Sequence, residues 1–119
     1  MSVDDRRFRI ADYLEHMYEA TRLARTYTEG LSKEEFLDDK RTQQAVILNL
    51  ITIGEVAARI FSDHKEFATA HTEVPWQQMR GMRNRMAHGY FDINLDVVWD
   101  TVQASLPELE RQLATLRGK

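Results

Sequence analysis

Apolar positions recur along this chain at helical spacing, three and four residues apart, and not at the alternation of a half-buried strand. Ile10, Tyr13, Leu14, Met17, Thr21 and Ala24 share one face and predict a first helix from about Asp4 to Tyr27, ended by Gly30. Ser32 with Glu35 three residues later forms a capping box that starts a short second helix. From Asp39 or Lys40 to Phe61 the chain is apolar almost all round. Its β-branched residues invite a strand, but the run is too long and has no period of two, so a central buried helix is predicted. Pro75 at a first helical position opens a fourth helix, and Gly89 stops it. Asn94 caps the last, whose Leu95, Val98, Val102, Leu106, Leu109, Leu113 and Leu116 keep a 3-4 spacing. Pro107 is expected to bend or split that helix, with Ser105 and Glu108 as a capping box at the break. The sum is an all-α, four- to five-helix, up-and-down bundle.

At 119 residues without a repeat or linker, residues 1–119 read as one domain. The absence of cysteine excludes a disulfide scaffold, a thiolate nucleophile and cysteine-ligated metal sites. No apolar run follows the charges at the N-terminus, so no signal peptide is read there. No segment reaches the ~18 uninterrupted apolar residues of a membrane span, and the expected compartment is the cytoplasm. Net charge is −3, which argues against salt-driven binding to long nucleic acid such as DNA. The distribution is more informative. Arg80 to Tyr90 holds three arginines, one histidine and no acid, leaving −6 on the remainder. One compact cationic turn on an acidic protein suits recognition of a few phosphates.

That turn carries the side chains that phosphodiester cleavage in RNA requires. A base removes the 2′-OH proton, an acid protonates the leaving 5′-oxygen, and cations stabilise the charge gathering on phosphorus oxygens. Histidine serves either proton role near neutrality, and arginine matches phosphate oxygens in a planar fork. Neither role calls for a metal or another cofactor. Arg80, Asn84 and His88 lie at i, i+4 and i+8 on one face, while Arg83 stands about 140° round from His88. Focusing Arg83 and His88 on one phosphate needs the arginine stem to reach back, the last turn to unwind before Gly89, or a two-fold partner to complete the cleft. The plainer reading is a solvated arginine face, with His88 complementing the helix C-terminus and Tyr90 and Phe91 in the core.

Arg83, His88 and Tyr90 resemble the R-x4-H-x-Y signature of the HepT-like toxins, a branch of the HEPN superfamily, and Asn84 matches the polar residue that follows its arginine. Tyr13-Leu14, Ala45-Val46-Ile47, Ile53-Gly54-Glu55, Pro75-Trp76 and Val98-Trp99 extend the resemblance over nearly the whole chain. The resemblance implies a homodimeric, metal-independent endoribonuclease, the toxin of a toxin–antitoxin pair. Arg83 and His88 would be catalytic, Asn84, Arg80 and Arg85 would bind substrate phosphate, and RNA would be the substrate. It also implies a minimal nucleotidyltransferase antitoxin that silences the toxin by adenylylating Tyr90. The rival reading is a non-catalytic helical module that docks and regulates a nucleotidyltransferase; a third is a structural dimer without ligand.

Other polar residues carry less. Glu55 interrupts an apolar helix and is read first as a salt-bridge partner of an arginine, then as a direct participant. His16, His64 and His71 lack ligand spacing, so no metal site is expected. Asp92 and Asp96 serve the turn and the start of the last helix. Trp76 and Trp99 read as core anchors.

Overall fold

The stripe of Tyr13, Leu14, Met17, Ala20, Thr21 and Ala24 is the buried face of helix α1, Ile10–Thr28. The structure, a computed structural model, describes residues 9–118. Arg9 is extended, so α1 starts at Ile10, where the apolar stripe begins and later than the expected start near Asp4; residues 4–8 lie outside the described part. Gly30, at φ +81°, takes the left-handed turn that a residue with a Cβ resists. Helix α2, Lys33–Leu37, begins with the expected capping box, Ser32 accepting from the Glu35 N–H and Glu35 accepting from the Ser32 N–H. Its Phe36 is fully buried, and buried Gln43 donates to the Phe36 and Leu37 carbonyls, tying α2 to the next helix.

That next helix, α3 (Lys40–Asp63), is the central rod, capped by Asp39, whose carboxylate accepts from the Thr42 N–H. By length and composition it could cross a membrane, but α1 and a later helix, Trp76–His88, pack against it, and most of its apolar residues serve the core. A short helix α4, Lys65–Ala70, follows and was not legible as a separate element. Helix α5 is Trp76–His88; Pro75 is its N-cap and not its first turn, and the Trp76 indole N–H donates to the His71 carbonyl at 2.9 Å. A 3-10 turn, Tyr90–Asp92, leads to α6, Leu95–Asp100, where Asn94 accepts from the Asp96 and Val97 N–H groups as a cap should.

Of the bend or split expected at Pro107, the split does not occur. The chain passes from α6 through a π turn, Thr101–Ser105, directly into α7, Leu106–Arg117. Ser105 keeps helical dihedrals and caps nothing, so the expected capping box with Glu108 is absent. A proline cannot donate to the carbonyl four residues back, and a wide turn just before it accommodates that lost bond without ending the helix.

Contacts fix the directions. Tyr13 donates to Asp63, Arg80 lies over Phe61 while Arg83, further on, pairs with the earlier Glu55, and Arg117 pairs with Glu15 while Arg25 pairs with Glu110. Early residues of one helix thus meet late residues of the next, so α1–α3, α3–α5 and α1–α7 are antiparallel, as an up-and-down bundle requires. Trp99, tilted against Phe36 at 5.4 Å between ring centroids, closes the far side of the core.

Candidate functional site

The site begins with a missing side chain. A Cβ on Gly54 would lie 2.3 Å from the Arg83 Cβ and 2.5 Å from the Met79 carbonyl oxygen. Carbon atoms in good contact sit about 3.5–4.0 Å apart, so only glycine lets α5 lie this close to α3. The close approach occurs at Arg83, the arginine singled out in the sequence. Arg83 NH1 donates to Glu55 Oε1 at 2.8 Å, and the other oxygen, Glu55 Oε2, accepts from Arg59 Nε at 3.2 Å. The salt-bridge reading of Glu55 is therefore met, and its partner is the candidate catalytic arginine itself.

One atom in this arrangement is out of balance. Arg83 Nε is buried and, among the described residues, has no hydrogen-bond partner. A donor left buried without an acceptor costs about 1–3 kcal/mol. A partly exposed ion pair such as Arg83–Glu55 returns only about 0–1 kcal/mol. Stability alone does not account for placing a guanidinium here. A phosphate oxygen would remove the imbalance once a shift of the side chain uncovered Nε, which has almost no exposed surface here.

The remaining candidates lie further along α5 on exposed positions. Arg80 sits over the Phe61 ring, its guanidinium carbon 5.9 Å from the centroid. Asn84, Arg85 and His88 are exposed, and His88 forms the last turn of the helix. Arg85 also borders a cleft of ≈290 Å³ floored by Met82, Met86, Ile93 and Val97. Tyr90 opens the 3-10 turn two residues beyond His88; its side chain lies outside what the structure describes. Gly89 ends α5, its N–H donating to the Arg85 carbonyl at 2.8 Å. Its φ is −109°, so the reason for glycine is space and not handedness: a Cβ would meet the Arg85 oxygen at 2.8 Å.

Two of the adjustments that would join Arg83 to His88 within one chain do not occur. The helix is intact through His88, and the Arg83 stem runs to Glu55 on α3 instead of back along α5. The two groups therefore remain about 140° apart round the helix and about 7.5 Å apart along its axis. The third route, a facing copy, is left.

A broad apolar groove adjoins this end of α5. It is lined by Ile47, Leu48 and Ile51 of α3 with Phe91, Ile93 and Leu95, bordered by polar side chains of the first turns of α3 such as Lys40 and Gln44, and its volume is ≈630 Å³. Leu48 is 63% exposed and Phe91 95%, so Phe91 is not the core aromatic that its position beside Tyr90 suggests.

The other histidines and acids take structural places. The His64 ring meets Tyr13 edge-on at 5.9 Å, and His71 Nδ1 lies 3.4 Å from Glu73. His16 is exposed on α1. Asp92 lies in the 3-10 turn and Asp96 pairs with Lys33 at 3.1 Å. Sequence reasoning named Gly54 within the Ile53-Gly54-Glu55 resemblance but gave it no role, and it missed Arg59. A glycine in the middle of an otherwise β-branched and aliphatic helix was the available signal for the first.

Residues 17–116 match the family described as Ribonuclease HepT-like. A protein of Thermococcus cleftensis, named as an inferred ribonuclease HepT, is 41% identical over 106 residues, covering 89% of this chain and 94% of the relative. A protein of Caldanaerobacter subterraneus subsp. tengcongensis, named as an inferred RNase, is 34% identical over 90% of this chain and 93% of its own length. Another so named, from Methanocaldococcus jannaschii, is 33% identical over 100% of this chain and 96% of its own. No solved structure matches the chain significantly.

Proposed function

The chain belongs to the HepT-like ribonuclease family, and from that premise we propose how it cleaves RNA and how it is restrained. Arg83 takes a non-bridging oxygen of the scissile phosphate, with its unpartnered Nε–H among the donors. His88 acts as general base or general acid. The 2′-oxygen attacks phosphorus as its proton is removed. The 5′-oxygen leaves with a proton supplied by the acid, giving a 2′,3′-cyclic phosphate and a 5′-hydroxyl. Asn84 orients phosphate or imidazole, and Arg80 and Arg85 hold neighbouring phosphates. These side chains supply proton transfer and charge stabilisation, so the reading requires no metal ion.

A two-fold homodimer completes this site. It would bring two His88 rings and two Arg83 guanidinia to one cleft, so that one ring serves as base and the other as acid. The groove with exposed Leu48 and Phe91 beside the end of α5 is the apolar surface such a dimer would bury. The biological role proposed is a toxin in the cytoplasm, neutralised by a minimal nucleotidyltransferase antitoxin that adenylylates Tyr90. An attached AMP would place bulk and negative charge two residues from His88, where substrate phosphate must enter.

The observation that carries the reading is the buried, unpartnered Arg83 Nε on the helix that ends in an exposed His88. The test is cleavage of end-labelled single-stranded RNA by folded Arg83→Ala and His88→Ala proteins. Each should lose at least about 100-fold in rate, in the range of one lost proton-transfer or charge-stabilising group. Rates equal to the parent would refute the assignment and leave the docking module as the better account. Mass spectrometry after co-expression with the candidate antitoxin should find adenylate on Tyr90 and none on Tyr90→Phe.

A further inference from the structure

A guanidinium offers two forks to an acceptor, NH1 with NH2 and NH2 with Nε. In this protein the first fork is engaged by Glu55, which accepts from NH1 at 2.8 Å. The second holds the buried Nε with no partner among the described residues. Glu55 is in turn held by Arg59 through its other oxygen at 3.2 Å, so both carboxylate oxygens are engaged. Gly54, next in the chain, brings the Arg83 backbone against α3, which leaves the side chain little room to turn. We propose that Glu55 is a positioning residue for the reaction: it fixes NH1 so that the NH2–Nε fork of Arg83 faces the scissile phosphate.

The chemistry of the pair supports a role in orientation. A carboxylate beside the phosphate-binding arginine repels RNA and offsets part of the cation's charge, which is a poor arrangement if the site only had to attract substrate. Arg59 restores a net single positive charge to the group of three. A fixed fork loses less freedom when it grips a phosphate, and that gain falls on the transition state, where charge on the oxygens is greatest. Glu55 itself touches no reacting atom; its effect passes through Arg83. The inference thus rests on the phosphate-binding assignment of Arg83 made above.

The test is a double-mutant cycle on single-stranded RNA with Glu55→Ala, Arg83→Ala and the pair, with Glu55→Gln as the conservative variant. Glu55→Ala should lower kcat by tenfold or more without raising KM for RNA, since removing an acid cannot weaken attraction to a polyanion. Glu55→Gln, which keeps an acceptor for NH1, should recover most of that loss. In the Arg83→Ala background, Glu55→Ala should change the rate by less than twofold. Multiplying losses in the double variant, or a Glu55→Ala protein with parental kcat, would overturn the proposal. So would a loss that appears only as a raised KM or a lower Tm. Should Glu55→Ala fail to fold, Glu55→Met, which keeps the side-chain length and removes the acceptor for NH1, carries the cycle and the exchange measurement. A readout independent of cleavage is the 15N-detected arginine Nε–H spectrum of the parent. One Nε–H, absent in Arg83→Ala, should exchange slowly with solvent, stay slow in Glu55→Gln and become fast in Glu55→Ala; unchanged exchange in Glu55→Ala would overturn the proposal even if His88→Ala removed the nuclease reading.

Discussion

Replacing Gly54 by alanine adds a single methyl group, and the structure gives its consequence a sign and a size. The new carbon would be 2.3 Å from the Arg83 Cβ and 2.5 Å from the Met79 carbonyl oxygen. Restoring a contact of about 3.5 Å requires α5 to withdraw from α3 by more than about 1 Å. Neither obstacle is the flexible end of a side chain, so the strain falls on the helix pair. Overpacking of this kind costs about 1–3 kcal/mol, against which alanine regains up to about 1 kcal/mol of helix propensity. The expected net loss is about 1–2 kcal/mol, or a Tm lower by roughly 4–8 °C for a domain of this size. Activity should suffer more than stability. A withdrawal of 1 Å breaks the 2.8 Å Arg83–Glu55 bond and misplaces the guanidinium, and a misplacement of that order costs about 100-fold in rate.

Gly81, also on a helix, supplies the control. A Cβ there would meet only the end of the Arg85 side chain, at an ordinary 3.6 Å. Gly81→Ala should therefore raise stability by about 0.4–1 kcal/mol and leave RNA cleavage within twofold of the parent. The assay is thermal unfolding followed by circular dichroism, with initial rates on labelled RNA for both variants. A Gly54→Ala protein as stable and as active as the parent would refute the close-approach argument, as would equal losses in both variants.

Other expected outcomes follow from single contacts. Phe36 is fully buried, and Phe36→Ala should lose about 3–5 kcal/mol in denaturant unfolding. Asn94→Ala removes the cap from two α6 donors and should cost about 0.5–2 kcal/mol in the same measurement. The Asp39 carboxyl is held below its ordinary range chiefly by the Thr42 hydroxyl and N–H, so its charged form is the one folding favours. Its stabilisation is full above the ordinary carboxylate range and is lost as pH falls through the lowered value. Asp39→Ala should accordingly lower Tm at pH 7, and the gap to the parent should close in strong acid. If the proposed two-fold dimer buries the groove, Leu48→Glu should shift the protein toward monomer in sedimentation velocity and lower cleavage with it, since one protomer leaves Arg83 and His88 apart.

The helices were legible because each is written in local terms. The Ser32–Glu35 box, the Asn94 cap and the face from Tyr13 to Ala24 need only the residues within a turn or two, and all three formed. Pro107 shows where local reading stops. The rule that proline ends a helix is correct for an α-turn, but the π turn before it absorbed the missing bond, and nothing within Thr101–Ser105 announces that turn. The candidate site divides in the same way. The identity of Arg83 and His88 and their spacing on α5 were readable, because they lie within six residues. The direction of the Arg83 side chain was not, because it is set by Gly54 and Glu55, twenty-eight and more residues away, across an interface that only packing creates. Glu55 looked like a charge to be neutralised, and Gly54 stood in the sequence only as part of the Ile53-Gly54-Glu55 resemblance, with no role of its own. Each makes sense only once the other helix is in place: the glycine admits α5, and the glutamate holds the arginine that α5 brings. A residue that breaks the rule of its own helix is thus best explained by what the neighbouring helix needs at that height. Applied to the end of α5, the same reasoning points outward: His88 is exposed in its last turn, Phe91 just beyond it is 95% exposed, and the proposed second copy would meet them there.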